Sequence, residues 1–305
     1  MTSAVPAPSP AATVLLLRDG ARGIEVLMQR RRASLSFMGG MWVYPGGRHE
    51  TADRAGAVLE RVRAASGPDA PRMHDIAGQE MSREETLGLY VTACRETFEE
   101  CGVLLATDAG GTPVFGAPDP HWTHWRNEVA TRAEAFADLL IGADLYLDVH
   151  RLVYWSHWIT PAAEKRRFDT RFFAIEVPAG LEPGPSDQES TEQRWIRPAD
   201  AVAEVNAGLL DAAPPTMFSL ENLVECEARD GKVGAVLVAE RGREVPPIRP
   251  VLQSTPEGLE VRMPWDRDYD PGTAEAIMRP AVYPAHYTRR PSRLRLKPGF
   301  APRLT

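Results

Sequence analysis

The chain has 305 residues, 43% of them hydrophobic and 25% charged, the balance of an ordinary globular protein with ample material for a buried core. Its formal net charge is −7, and from Arg279 onward it carries seven basic residues and no acid; the acidic body argues against nucleic acid as the main partner, and the basic tail suits anionic ligands or an acidic neighbour. Three cysteines, Cys94, Cys101 and Cys226, give neither a disulfide framework nor a C-x-x-C pair, and the apolar run 11–17 is too short for a secretory or membrane segment, which points to a reducing cytoplasm and no membrane partner.

In chain order, residues 1–11 are rich in Pro, Ala and Ser and read as a flexible tail. Segments 13–17 and 24–28 read as two strands joined at Arg18-Asp19-Gly20. Arg30, Arg31 and Arg32 follow, either as the soluble end of a strand or as a clamp on phosphates. Residues 54–81 hold one short helix near 55–65. Ser82 and Glu85 form an S-x-x-E capping box, Leu87, Val91, Cys94 and Phe98 recur at helical spacing, and Gly102 stands at a left-handed C-cap, which predicts a helix over 82–101. A Gly- and Pro-rich loop spans 107–120, and a helix over 122–141 has a second capping box at Thr131 and Glu134. His121 and His124 lie beside Trp122 and Trp125 with no third ligand, which favours aromatic packing over metal binding. Segment 145–159 is strand-like and breaks at Thr160-Pro161; 166–175 ends in a buried strand. An acidic loop at Asp187-Gln188-Glu189 leads to a strand at 194–196, a helix over 198–210 with Pro in its first turn, and a helix over 214–228. Segments 233–239 and 259–263 read as strands of a C-terminal extension, 229–305.

The most informative stretch is Arg95-Glu96-Thr97-Phe98-Glu99-Glu100-Cys101-Gly102-Val103. Its carboxylates at i, i+3 and i+4 share one helix face. They repel one another there by a few tenths of a kcal/mol per pair, so the face is either solvated and salt-bridged or offset by a cation. Oxygen ligands of this kind select hard cations such as Mg²⁺ or Mn²⁺.

With Tyr44-Pro45-Gly46-Gly47 upstream, this stretch resembles the second half of the Nudix box, G-x5-E-x7-R-E-U-x-E-E-x-G-U. The first half departs from it: six residues after Gly47 stands Asp53, not Glu, and it lies 42 positions before Arg95. The box is therefore split by an insertion over 54–81. The resemblance implies an α/β fold, a Nudix α/β/α sandwich with a mixed β-sheet over 12–228, with a helical insertion over 107–142 and the C-terminal extension. Because its ends are pinned to the two halves of the box, the 54–81 insertion is expected over or beside the site.

The segment from Leu27 to Gly47, and the pairing of Trp158-Ile159-Thr160-Pro161 with Arg167-Phe168-Asp169-Thr170-Arg171-Phe172-Phe173, are similar to the coenzyme A and acyl-CoA diphosphatase branch, whose members also carry an insertion inside the box. That likeness implies hydrolysis of coenzyme A or acyl-CoA to 3′,5′-ADP and (acyl-)4′-phosphopantetheine. Mg²⁺ or Mn²⁺ would be held by Glu96, Glu99, Glu100 and the Gly46 carbonyl, with Arg95 orienting a glutamate. The general base is one of Glu96, Glu164 and Glu189. Arg30, Arg32, Arg167, Phe168 and Arg171 are candidates to touch the small-molecule substrate, and strand alternation lets only a subset of them do so. A substrate such as ADP-ribose, a dinucleotide or another nucleoside diphosphate derivative stays open, as does a homodimer. A non-catalytic ligand sensor would have no need of the intact Arg95, Glu96, Glu99 and Glu100.

Overall fold

The run Val14-Leu15-Leu16-Leu17 is apolar at every position because its strand is covered on both faces. In the computed structural model, which describes residues 6–35, 38–64, 72–116, 120–184, 190–256, 258–272, 283 and 285–295, this strand is β1 (Ser9–Gly20), paired in a hairpin with β2 (Gly23–Arg31). It starts at Ser9, inside the stretch expected to be a loose tail. Short strands β3 (Trp42–Val43) and β4 (Gly46–Arg48) follow. The box insertion contains α1 (Gly56–Leu59), shorter than expected, and β5 (Val62–Arg63).

Helix α2 (Arg83–Cys101) forms as its caps dictate. The Ser82 hydroxyl accepts from the Glu85 N–H, the Glu85 carboxylate accepts from the Ser82 N–H, and Gly102 closes the helix at φ 68°. The expected loop at 107–120 contains a small hairpin, β6 (Ala106–Thr107) and β7 (Pro113–Val114). The helix expected over 122–141 is two, α3 (Pro120–Thr131) and α4 (Ala135–Gly142). Its predicted second capping box does not form: the Thr131 hydroxyl donates back to the Asn127 carbonyl at 2.9 Å, and the Glu134 side chain makes no cap bond.

A 3₁₀ turn at Val149–Arg151 divides segment 145–159 into β8 (Leu147–Asp148) and β9 (Val153–Ile159). Then come β10 (Phe168–Glu176), β11 (Ser190–Ile196), α5 (Pro198–Ala207) and α6 (Pro214–Asp230). The strand expected over 233–239 is instead helix α7 (Val233–Glu240), in which Val233, Val236, Leu237 and Glu240 are buried at helical spacing. An apolar run of this length does not separate strand from helix by itself. The chain continues through β12 (Pro247–Ile248), β13 (Val251–Thr255), β14 (Gly258–Arg262), α8 (Ala285–Thr288) and β15 (Arg293–Arg295).

The main sheet runs β11-β2-β1-β10-β9-β12 and is mixed: β1 is parallel to β10 and β9 to β12, with the other pairs antiparallel. Val14 and Leu16 face a core built with α2 and α4, and Leu15 and Leu17 face one built with α6 and α7. This is an α/β/α sandwich. Among the described residues no helix is long and apolar enough to cross a membrane, and all three cysteines are free and buried.

Two features position the site. Strands β1 and β2 pair only from Leu17↔Val26 to Gly20↔Gly23, and beyond that β4 pairs with β1 and β3 with β2. The sheet thus splays, and segment 42–48 wedges it open beneath α2. Second, the insertion is tied at its entrance to α2: the Arg95 guanidinium donates to both Asp53 oxygens at 2.6 and 2.9 Å, and Asp53 also accepts from the Thr92 hydroxyl at 2.8 Å and the Glu50 N–H at 2.9 Å. Asp53 is 1% exposed and Arg95 3%. Removing one member of so buried a pair strands the other's charge, so Asp53→Ala is expected to cost about 3 to 5 kcal/mol in chemical denaturation; a loss below about 1 kcal/mol, the worth of a surface pair, would show that the tie does not hold the fold.

Candidate active site

The splay opens into a cleft of about 2000 Å³. One wall is the C-terminal half of α2, with Arg95, Glu96, Glu99 and Glu100, and the Gly46-Gly47 backbone lies against it. Across the cleft stand Trp158, Phe168 and Phe172, and Glu164, Lys165 and Arg166 rim it from the β9–β10 loop. The end of α3 closes a further side.

Arg95 is the hub of the acidic wall. Beyond Asp53 it donates to Glu96 at 3.0 Å, to Glu99 at 2.6 Å and to the Arg48 carbonyl at 2.9 Å. The glycine pair is required by close approach: a Cβ at Gly47 would lie 2.5 Å from the Glu96 carboxyl, and one at Gly46 would lie 2.4 Å from the Ala12 carbonyl oxygen. Glu100 is buried and accepts from the Gln29 amide and, at 3.0 Å, from the Gly46 N–H. Gln193 steadies Gln29 with a bond at 3.2 Å. At the end of α2, Arg126 donates to the Glu99 and Glu100 carbonyls at 2.8 and 2.7 Å, answering the helix's orphan acceptors and its negative end.

The structure thus brings Arg95, Glu96, Glu99, Glu100 and Gly46 together, although it is the Gly46 N–H, where the sequence suggested the carbonyl, that is seen engaged. Glu164 lines the cleft, and its partial burial raises its pKa; Glu189 lies outside the described residues. Among the arginines and aromatics singled out, Arg30 and Phe168 line the cleft and Arg32 does not. Arg167 is buried and donates to the carbonyls of Thr160 and Pro6 at 3.1 and 2.8 Å. Arg171 points to the opposite face of β10, where it pairs with Asp169 at 2.5 Å and donates to the His74 carbonyl at 2.8 Å. That contact draws the returning end of the insertion to the sheet's other face. No described residue of 54–81 lines the cleft, although Thr51 and Ala52 at the root of the insertion do, and its residues 65–71 lie outside the described ones. His121 and His124 pack edge-on or tilted against Trp122 and Trp125.

Sequence reasoning missed Asp53, Gln29 and Arg126. Asp53 had a signal, an acid six residues after Gly47 at the point where the box asks for one. Gln29 and Arg126 act across long chain separations and had none.

Among the described residues no three His, Cys, Asp or Glu side chains converge as a ready-made metal cage, because Glu96 and Glu99 both turn to Arg95 and Glu100 to Gln29 and Gly46. The donor set nevertheless suits a hard divalent cation. Three carboxylates, Asp53, Glu96 and Glu99, bond to one guanidinium, and Glu100, one position on from Glu99, meets the neutral donors of Gln29 and Gly46. Burial, reinforced by Glu99 and Asp53 against the pull of Arg95, holds the Glu96 pKa well above the usual carboxylate range. Glu96, Glu99 and Glu100 are the residues with oxygens to offer such an ion.

Residues 3–223 match the family described as the NUDT19 Nudix domain. The human acyl-coenzyme A diphosphatase NUDT19 is 28% identical over 229 residues, covering 67% of this chain and 61% of that protein. The protein of the same name from Gallus gallus is 28% identical over 231 residues, covering 64% of this chain and 60% of that one. The chain therefore spans about three-fifths of the length of these curated relatives. The crystal structure of a Nudix hydrolase from Alicyclobacillus acidocaldarius superposes with a TM-score of 0.65 at 27% identity, over 79% of this chain and 100% of that one. The split box, closed in space by Asp53 and Arg95, and a family match across most of the chain lead to one conclusion: the chain belongs to the NUDT19 Nudix domain family.

Proposed function

We propose that the chain hydrolyses the diphosphate of coenzyme A or an acyl-coenzyme A, releasing 3′,5′-ADP and (acyl-)4′-phosphopantetheine, with Mg²⁺ or Mn²⁺ as its cation. The observation that carries this reading is that one cleft joins a net-negative carboxylate wall to an apolar side at Trp158, Phe168 and Phe172. A ligand with a diphosphate at one end and an apolar, amide-bearing arm at the other matches both. The cleft volume of about 2000 Å³ exceeds the roughly 300 to 1,000 Å³ of ordinary small-molecule sites, which suits an extended substrate. The names of the human and chicken relatives support the same substrate class. Free, buried thiols agree with a reducing cytoplasmic setting.

A divalent cation, when bound, neutralises phosphate charge and acidifies water. Glu96, Glu99 and Glu100 would hold it, with the Gly46 carbonyl added by family resemblance. Arg95, fixed by Asp53 and the Arg48 carbonyl, keeps Glu96 and Glu99 turned inward. Arg30, at the cleft edge, meets the anionic phosphates. In the reaction a water oxygen bonds to one phosphorus, the bridging P–O bond breaks toward the other phosphate, and the water proton passes to a carboxylate. Within the box that acceptor is Glu96; outside it, Glu164 lines the cleft.

Glu99→Gln and Glu100→Gln are each expected to lower kcat/KM by on the order of a hundredfold with the thermal midpoint retained; near-normal turnover at millimolar-scale Mg²⁺ would sink the metal assignment. Gly47→Ala should displace the Glu96 carboxyl and lose most activity, while Gly56→Ala, where a Cβ meets nothing within 4 Å, should not. For the substrate, kcat/KM is compared side by side for coenzyme A, an acyl-CoA, ADP-ribose and a diadenosine polyphosphate. The CoA compounds are expected to lead, and a CoA value below the others would overturn the substrate assignment while leaving the diphosphatase chemistry standing.

A further inference from the structure

The family match ends at residue 223, yet the chain beyond it helps build the cleft. Strand β12 joins the main sheet beside β9, pairing Ile248 with Trp158. Strands β13, β14 and β15 then form a separate three-stranded sheet. In its register Leu252 pairs with Val261, and Val261 with Leu294, which sets three apolar side chains in a row across one face. Both Leu252 and Val261 line the cleft. Val261 is buried, whereas Leu252, which packs in part against the same core, is only half-buried.

This sheet is held in place by more than its own ladder. Arg290 donates to Glu221 on α6 at 2.9 Å, the Tyr287 ring stacks on Phe218 at 5.2 Å between centroids, and Arg293 forks onto Asp266 at 2.7 and 2.8 Å. The Tyr283 hydroxyl donates to the Pro247 carbonyl at 2.7 Å. A wall fixed in this way can discriminate by shape, because the geometry it presents does not have to be ordered by the ligand.

We infer that the Leu252–Val261 face of the C-terminal sheet is the wall on which the aliphatic acyl arm of an acyl-coenzyme A lies, so that residues outside the family-matched segment set acyl-chain preference. The inference rests on the acyl-CoA reading above. The diphosphate is held at the carboxylate wall, so chain length is read at the far end of the same cleft. Each methylene laid on the wall removes apolar surface from water, and kcat/KM rises with chain length until the wall ends.

The test is kcat/KM of the full chain for acetyl-, octanoyl- and hexadecanoyl-CoA, with free coenzyme A and ADP-ribose alongside. The unaltered protein is expected to favour the longer chains. In Leu252→Asp, whose charge faces the arm, the hexadecanoyl-to-acetyl ratio should fall at least about tenfold. Leu252→Trp, which fills the wall without adding charge, should move the optimum to a shorter chain, and it serves if the aspartate variant melts early. A flat chain-length series in the unaltered protein, or a ratio unchanged in the variants, overturns the wall while leaving CoA hydrolysis intact. Turnover of ADP-ribose with none of any CoA compound overturns the underlying substrate reading instead, and the wall with it.

Discussion

Everything at the acidic wall depends on one buried guanidinium. Arg95 is nearly inaccessible, and three carboxylates, Asp53, Glu96 and Glu99, take hydrogen bonds from it. A cation at that depth is tolerated only because its charge and its donors are met almost completely. The same bonds hold two acids of one helix face in a fixed relation despite their repulsion, so the wall is assembled before any ligand arrives. Asp53 takes the Nε and Nη2 donors of Arg95, and Glu96 and Glu99 share Nη1. Both glutamates line the cleft.

The division of the sheet is what makes room for this wall. An unbroken β1–β2 ladder would fill the space with paired backbone, but β3 and β4 take over the two edges, and the Tyr44-Pro45-Gly46-Gly47 turn crosses the gap. Gly47 lets that turn touch the Glu96 carboxyl, while the Gly46 N–H reaches Glu100. Glycine here serves proximity more than flexibility. On the far side, Gln29 and Gln193 spend neutral donors on Glu100 and the helix end, which orients an acid without neutralising it.

What was legible in the sequence was local. The Ser82–Glu85 cap, the Gly102 stop and the three acids at helical spacing are relations within one or two turns, and they stand as expected. Relations across the chain were less readable. Asp53 was seen as a break in the pattern, and its role emerges only when 42 residues of chain bring it under Arg95. Strand alternation foretold that only some of Arg167, Phe168 and Arg171 face the cleft, but the parity of β10 was needed to select Phe168. Helix α7 was misread because its apolar residues fill both periodicities over eight positions. The contribution of the C-terminal sheet had no signal at all, since it depends on the pairing of β12 with β9.

The tie between Asp53 and Arg95 also separates two jobs that a continuous motif performs together. In an unsplit box the intervening chain sets the distance between the acid and the arginine; here that distance is set by a bidentate ion pair with its own hydrogen bonds to Thr92 and Glu50. Chain length between them is thereby released from the chemistry. Each doubling of a loop whose ends are already held costs only about 0.6 kcal/mol in closure entropy, far below the worth of the buried pair. A change in the length of the segment that begins at position 54 therefore bears on the chain's closure entropy and leaves the Asp53–Arg95 pair to keep the carboxylates in place.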